Sequence, residues 1–388
     1  MSALRSRNAV LLAKIESTEG TDASPSASTD AILIEAPKIK PTVNLVNTTE
    51  VTGTLDDAGP IVGGMKVDIT FDLLLKGSGV AGTIPECSPL MKACGWVEVI
   101  TSSAIPASAE AAASGTSTSL TLGASAGTTA EQYQGMPLLL TGNPAAGATT
   151  FITDYTAGKV ATLTDNFTTP LSSSTLYQIP KNVLYKPGSV NIPSLTMYLY
   201  MDGIVYKLVG ARGTGQFSAG SGDIGKITFT FTGMFESKTD AAVPTAIYDT
   251  ARPPVFKNND GTAAMLINRL PAALKDFTLD FGNKLTNPDD PNALEGFDAA
   301  VITERNMIGS VNPLETLVGT RDIMGDMRAG TTRIIHGRWG SSFGNKIGLT
   351  VPSALYTGQN MNDRNGLSSV DVPFSAIGQQ AGAFFCFY

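Results

Sequence analysis

Lys66-Val-Asp-Ile-Thr-Phe-Asp-Leu-Leu-Leu75 and Lys226-Ile-Thr-Phe-Thr-Phe-Thr-Gly-Met-Phe235 carry the pattern that decides the fold. In the first, Val67, Ile69, Phe71 and Leu73 alternate with Asp68, Thr70 and Asp72. In the second, Ile227, Phe229 and Phe231 alternate with Thr228, Thr230 and Thr232. A period of two sends successive side chains to opposite faces, so both read as half-buried strands. Leu195 to Val209 holds Asp202-Gly203 between apolar and aromatic residues, the strongest short hairpin signal in the chain. Ile32 to Val43 reads as an edge or irregular extended segment, because Pro37 and Pro41 each lack a ladder donor. Further strands are expected at Phe277–Phe281, Arg333–Arg338, Lys346–Val351 and Ser369–Phe374.

Helical signals are few. Ser88 to Cys94 reads as a short helix with Ser88 as cap, Pro89 at its first position and Gly95 as its stop. Pro313 to Val318 is a second candidate. Between the strands lie a small, polar arm at 16–31, a long loop from Asn47 to Met65 with Glu50, Asp56 and Asp57, and an acidic loop from Asn287 to Asp298 with Asp289, Asp290 and Glu295. A loop as long as the first is uncommon in a compact protein unless it has a task. From Ala104 to Pro180 only Glu110, Glu131, Asp154, Lys159 and Asp165 are charged, and short β runs alternate with Gly and Asn-Pro turns. This stretch reads as a small all-β module inserted into a larger body. After it, the order of strand, acidic loop, short helix and sheet is met a second time.

Composition narrows the function. The 388 residues carry a net charge of −7, which argues against a polyanion binder working through a basic surface. One His in the whole chain starves most acid–base and metal chemistry of its usual residue. The three cysteines, Cys87, Cys94 and Cys386, form neither a Cys-x-x-Cys pair nor a disulfide framework. The apolar run Ala9–Ala13 ends at Lys14, too short for a signal-peptide core, and no stretch approaches the roughly 20 apolar residues of a membrane span. A soluble protein assembled inside a cell is expected.

Four motifs bear on chemistry. Gly220-Ser-Gly-Asp-Ile-Gly-Lys226 fits a phosphate-loop spacing, but Ile227 follows where Ser or Thr is needed, and strand rather than helix comes next. A glycine turn between strands is the better reading. His336 with Ser341 and Ser342 lacks a nucleophile elbow. In the 287–298 loop, Pro288 and Pro291 spoil the ligand spacing of a calcium loop. Tyr198, Tyr200 and Tyr206 read as cross-strand packing before they read as a sugar platform. No catalytic, cofactor or metal residue is assigned, and the chain reads as a non-enzyme.

At this point the chain resembles the tail tube proteins (major tail proteins) of bacteriophages with long, non-contractile tails. The resemblance runs through Leu11-Leu-Ala-Lys-Ile-Glu-Ser-Thr-Glu-Gly20, Asp30-Ala-Ile-Leu33, Phe71-Asp-Leu-Leu-Leu-Lys-Gly-Ser-Gly79 and Pro89-Leu-Met-Lys-Ala-Cys-Gly95. It returns at Ile227–Gly233, Pro253-Pro-Val-Phe256, Leu279-Asp-Phe-Gly-Asn283 and Ile302-Thr-Glu-Arg305. The insertion resembles a small β module of phage structural proteins over Tyr133–Met136, Ile152–Tyr155, Lys159–Thr162 and Tyr177–Ile179, departing from it at Asn143–Gly147.

The resemblance implies a mainly β fold of tube-type β-sandwich or barrel domains, each with a short helix. Without its insertion the body is about twice the length of a ~150-residue domain, so two tube domains in tandem are expected. The boundaries read 1–103 and 181–241 for the first, 104–180 for the inserted module, 242–262 for a linker and 263–388 for the second. The implied role is a virion protein that stacks as rings into the tail tube, assembled in the host cytoplasm. Three chains per ring are favoured over six. Its implied partners are itself, the tape measure protein, the tail terminator and tail-tip proteins. DNA passes through the lumen without specific binding. By the same resemblance the N-terminal arm and the loop with Glu50, Asp56 and Asp57 would meet the next ring and the inserted module would decorate the outside; Asp68 or Asp72, alternating opposite the apolar face, would help make the lumen acidic. The alternatives are a capsid decoration or tail terminator protein, and a carbohydrate-binding or depolymerase component.

Overall fold

The computed structural model describes residues 4–56, 59–259 and 261–388. It is mainly β, with 48% of the chain in strands and 3% in helix, so sheet pairing rather than helix packing holds it together. Among the described residues every strand pairing is antiparallel, and eighteen strands join into one continuous sheet system.

The alternating stretches take their expected places. Ile61–Leu74 lies between Glu35–Val46 and Lys226–Asp240, with Ile69 opposite Phe231 and Phe71 opposite Phe229. Val67, Ile69, Phe71, Ile227, Phe229 and Phe231 are buried, while Asp68, Thr70, Asp72 and the three threonines are half-exposed. Among the described residues Glu35–Val46 pairs on one side only, the edge position its two prolines require. The Asp202-Gly203 hairpin forms between Leu195–Met201 and Ile204–Gly220. Both turn residues have positive φ, 43° and 107°, which Asp tolerates and Gly favours.

One strand order occurs twice. In the first half it runs Ala9–Ile15, Leu195–Met201, Ile204–Gly220, Lys226–Asp240, Ile61–Leu74, Glu35–Val46. In the second it runs Met265–Ile267, Arg333–Trp339, Ile347–Tyr356, Leu367–Ala376, Ile308–Pro313, Leu274–Asp280. Each half has one short helix in the same place in the chain, Ser88–Ala93 and Ile323–Ala329. Along the chain, each half is one strand, a pair of strands, a helix and a three-stranded meander.

The halves do not have separate cores. Beyond the reach of Leu195–Met201, Ile204–Gly220 pairs with Leu274–Asp280, from Gln216 opposite Asp280 to Gly220 opposite Asp276. An aromatic layer crosses that junction. Phe229 lies 6.3 Å from Phe281, Phe217 5.6 Å from Phe277 and Trp96 4.9 Å from Phe281. Residues 242–262 therefore connect two sheet units that share one core.

The insertion is a seven-stranded sheet from Ile105–Ala111 to Leu176–Ile179, with a core that includes Leu120, Leu138, Phe151, Ile152 and Tyr177. It is not an isolated bead. The terminal strand Phe384–Phe387 sends Phe384 and Cys386 into the module core and Phe385 and Phe387 into the body core. Period-two geometry on a strand buried on both faces makes that division.

Three local expectations are corrected. The second helix is Ile323–Ala329, not Pro313–Val318. Pro313 ends a strand, Asp322 caps the helix by accepting the Gly325 N–H at 2.7 Å, and Gly330 closes it at φ 64°. The long loop is shorter than expected, because strand begins at Ile61 rather than after Met65. Ser88 does not cap the first helix. It lies inside it, Cys87 is the cap residue, and the Ser88 hydroxyl donates to Glu98.

A core shared across both halves should unfold as a unit. Phe281→Ala is expected to cost about 3–5 kcal/mol and to shift a single denaturation transition reported by both Trp96 and Trp339. Two separate transitions, with only one displaced, would contradict the shared core.

Candidate assembly surface

The Glu35–Val46/Ile61–Leu74 hairpin continues past the core as a ribbon. Leu45 opposite Val62 and Val46 opposite Ile61 are each about half exposed or more, as are Val51 and Leu55 in the loop beyond. Contiguous exposed apolar side chains on a β ribbon mark a surface that seeks a partner. Glu50 and Asp56 are exposed in that loop, and Asp57 lies outside the described residues.

The acidic loop of the second half meets the base of this ribbon. The Glu295 carboxylate accepts the Met65 N–H at 2.8 Å, and a Cβ on Gly64 would come within 2.0 Å of the Glu295 carbonyl oxygen. The sequence offers no sign of this contact across some 230 residues. Asp290 accepts the Asn292 N–H at 2.8 Å within the loop, and Asp289 bridges to Phe297. Leu294 at the tip is almost fully exposed. Among the described residues no three His, Cys, Asp or Glu side chains come together in a way that could hold a metal ion.

Asp68 and Asp72 lie on the outward face of the same sheet. Thr232 donates to Asp68 at 2.6 Å; Lys226 and Thr228 donate to Asp72 at 2.8 and 2.6 Å. Burial works to raise the Asp72 carboxyl, but Lys226 and Thr228 hold it below the usual carboxylate range. Lys40 stands opposite Asp68 and Lys38 opposite Thr70. The face is therefore of mixed sign and rich in threonine, not simply acidic. It continues across the junction through Ser218 opposite Thr278 and Thr278 opposite Ser310, whose hydroxyls lie 2.8 Å apart.

Buried charges fasten the arm and the two halves. The Glu16 carboxylate is buried and accepts four hydrogen bonds, from Gly20 N–H, Ser194 and Thr196 hydroxyls and Gly210 N–H, at 2.5–3.0 Å. Arg212 donates to Glu19 of the arm, to Ile192 O and to Ala300 O in the second half. Arg305 donates to Gly95 O and Gly188 O of the first half and to Asn283. Glu16, Glu19 and Arg305 lie within Leu11–Gly20 and Ile302–Arg305, two of the stretches that carried the family resemblance. Their hydrogen bonds tie the arm and the second half to the first.

His336 sits where the module meets the body. It is fully buried, 2.8 Å from the Thr350 hydroxyl and 4.5 Å between ring centres from Phe151 of the module. Arg338, two residues on, holds Asp165 of the module through two hydrogen bonds of 2.8 and 3.0 Å. Burial, reinforced by Arg338, pushes the imidazole pKa down to about 3. The glycine-rich run 220–226 is the turn between Ile204–Gly220 and Lys226–Asp240, as expected from its strand context. Tyr198 packs over the arm rather than forming an open platform, its hydroxyl donating to Asp22.

Compared with known proteins, the chain matches no family model and no curated protein.

Two measurements follow from these contacts. Glu16→Ala strips four donors of their acceptor, at about 1–3 kcal/mol for each group left unpaired. Limited proteolysis within 17–30 should accelerate by at least about tenfold, with the body intact. The folded imidazole stays neutral to about pH 3, whereas an unfolded one takes its proton near pH 6.5. Its contribution is complete above pH 6.5 and is lost as pH falls toward 3, by up to ~1.4 kcal/mol per pH unit. His336→Gln should flatten the stability profile between pH 6.5 and 4. An unchanged slope would show that His336 is not the group responsible.

Proposed function

We propose that this chain is a self-assembling tube protein of a long, non-contractile phage tail. Three chains make a ring, each contributing two sheet units, and rings stack into the channel through which the genome leaves. The observation that carries the reading is the repeated six-stranded unit, joined edge to edge within one chain, with an outward face of threonine, serine and charges of both signs. A surface without a dominant cationic patch offers phosphates little to hold, so DNA can pass without being retained. Closing sheets onto neighbours also covers strand edges that would otherwise aggregate.

In this reading the apolar ribbon around Leu45 and Val62 reaches the adjacent ring, and the module stands outside the wall. The tape measure protein fills the lumen during assembly, the terminator and tail-tip proteins close its ends, and the product is part of the virion tail, built in the host cytoplasm.

Negative-stain microscopy of concentrated protein tests this directly. Hollow filaments with threefold end-on symmetry are expected. Leu45→Asp with Val62→Asp should abolish filaments while leaving the circular dichroism spectrum unchanged. Monomers at every concentration, with or without tail-tip proteins as initiators, would defeat the tube reading.

A further inference from the structure

The two halves of this chain are joined by a sheet contact that has a free counterpart at each outer end. In the first unit, Ile204–Gly220 is longer than its neighbour Leu195–Met201, and the excess, Gln216–Gly220, pairs with the first strand of the next unit, Leu274–Asp280. In the second unit the corresponding strand is Ile347–Tyr356 continued by Asn360–Arg364. Both pieces pair with Leu367–Ala376 on one side. Arg333–Trp339 covers the other side only as far as Ala354. Among the described residues, Asn360–Arg364 has no strand on that second side, and its first four residues are exposed. At the other end, Glu35–Val46 is the first-unit counterpart of Leu274–Asp280, and its outer edge is likewise unpaired among the described residues.

We infer that Asn360–Arg364 of one chain pairs antiparallel with the Glu35–Val46 edge of a second copy, repeating between chains the junction that Gln216–Gly220 and Asp276–Asp280 make within one. This deepens the tube reading and rests on it for self-association, while the choice of edges comes from the internal junction. The contact is head-to-tail, so each chain offers one edge of each kind, and repetition closes into a ring when the rotation from one copy to the next closes. The charges suit the pairing. Lys38 and Lys40 lie on one edge, Asp371 stands opposite Asn360 on the other hairpin, on the face shared with Asn362, and Arg364 is turned away to Asn312 O. Pro37 and Pro41 remove two donors from the receiving edge, so its carbonyls and remaining N–H groups carry the ladder and pairing cannot slide freely along it.

Disulfide trapping tests the edges, and the native cysteines do not interfere because all three are buried. Asn360 and Asn362 point to the same side of the hairpin and Met361 to the other. The full chain carrying Lys38→Cys with Asn360→Cys or Asn362→Cys should give, on mild oxidation, a ladder of dimers and higher species in non-reducing gels. Lys38→Cys with Met361→Cys should give at least about tenfold less. Ser218→Cys with Thr278→Cys, inside one chain, reports that the protein is folded and oxidisable by closing without changing oligomer size. Filaments that form without cross-links in either asparagine pair would overturn these edges and leave the tube reading standing. Dimers alone would overturn head-to-tail pairing. A ladder from protein that never forms filaments would support the edges and count against the tube.

Discussion

A β-strand that outruns its neighbour must find another, because unpaired backbone N–H and C=O groups away from water are costly. Ile204–Gly220 has 17 residues, and Leu195–Met201 beside it has 7. The surplus is satisfied by the second half of the chain. From that one constraint come the shared sheet, the aromatic layer across the junction and the continuous outward face of hydroxyls. It also explains why residues 242–259 can run without regular strand structure: the junction, not the connector, sets how the halves meet.

The same economy governs the module and the terminal strand. Phe384–Phe387 is apolar at every position because both of its faces are covered, one by the body and one by the module. Arg338 and Asp165 then fix the seam by an ion pair with little solvent access. Such a pair is weak evidence for stability but strong for registry, since breaking it strands a buried charge. The same holds for Glu16 and Arg212, whose hydrogen bonds define where the arm and the second-half loop lie.

The polar face asks for a different kind of account. Asp68 and Asp72 are not free acids arrayed along a wall; each is tied to a threonine, and Asp72 also to Lys226. Charges neutralised across neighbouring strands leave a hydrated surface with little net field. For the proposed tube, such a face would let DNA pass by offering nothing to grip rather than by repulsion.

By itself the sequence determined the strands and their faces. Period-two alternation at 66–75 and 226–235, the Asp-Gly turn and the edge prolines are local signals, and local geometry answers them. The inserted module was legible from its loss of charge, and the order of elements hinted at the duplication. The tertiary structure alone decided the rest. The helix at Ile323–Ala329 hides a glycine in its first turn, and Phe384–Phe387 has no alternation to read because both faces are buried. The contact of Glu295 with Met65, three of the four donors around Glu16 and the junction at Gln216–Gly220 join residues 56 to 230 positions apart. No spacing rule reaches that far; such pairs are set by which edges remain unpaired once the local strands have formed.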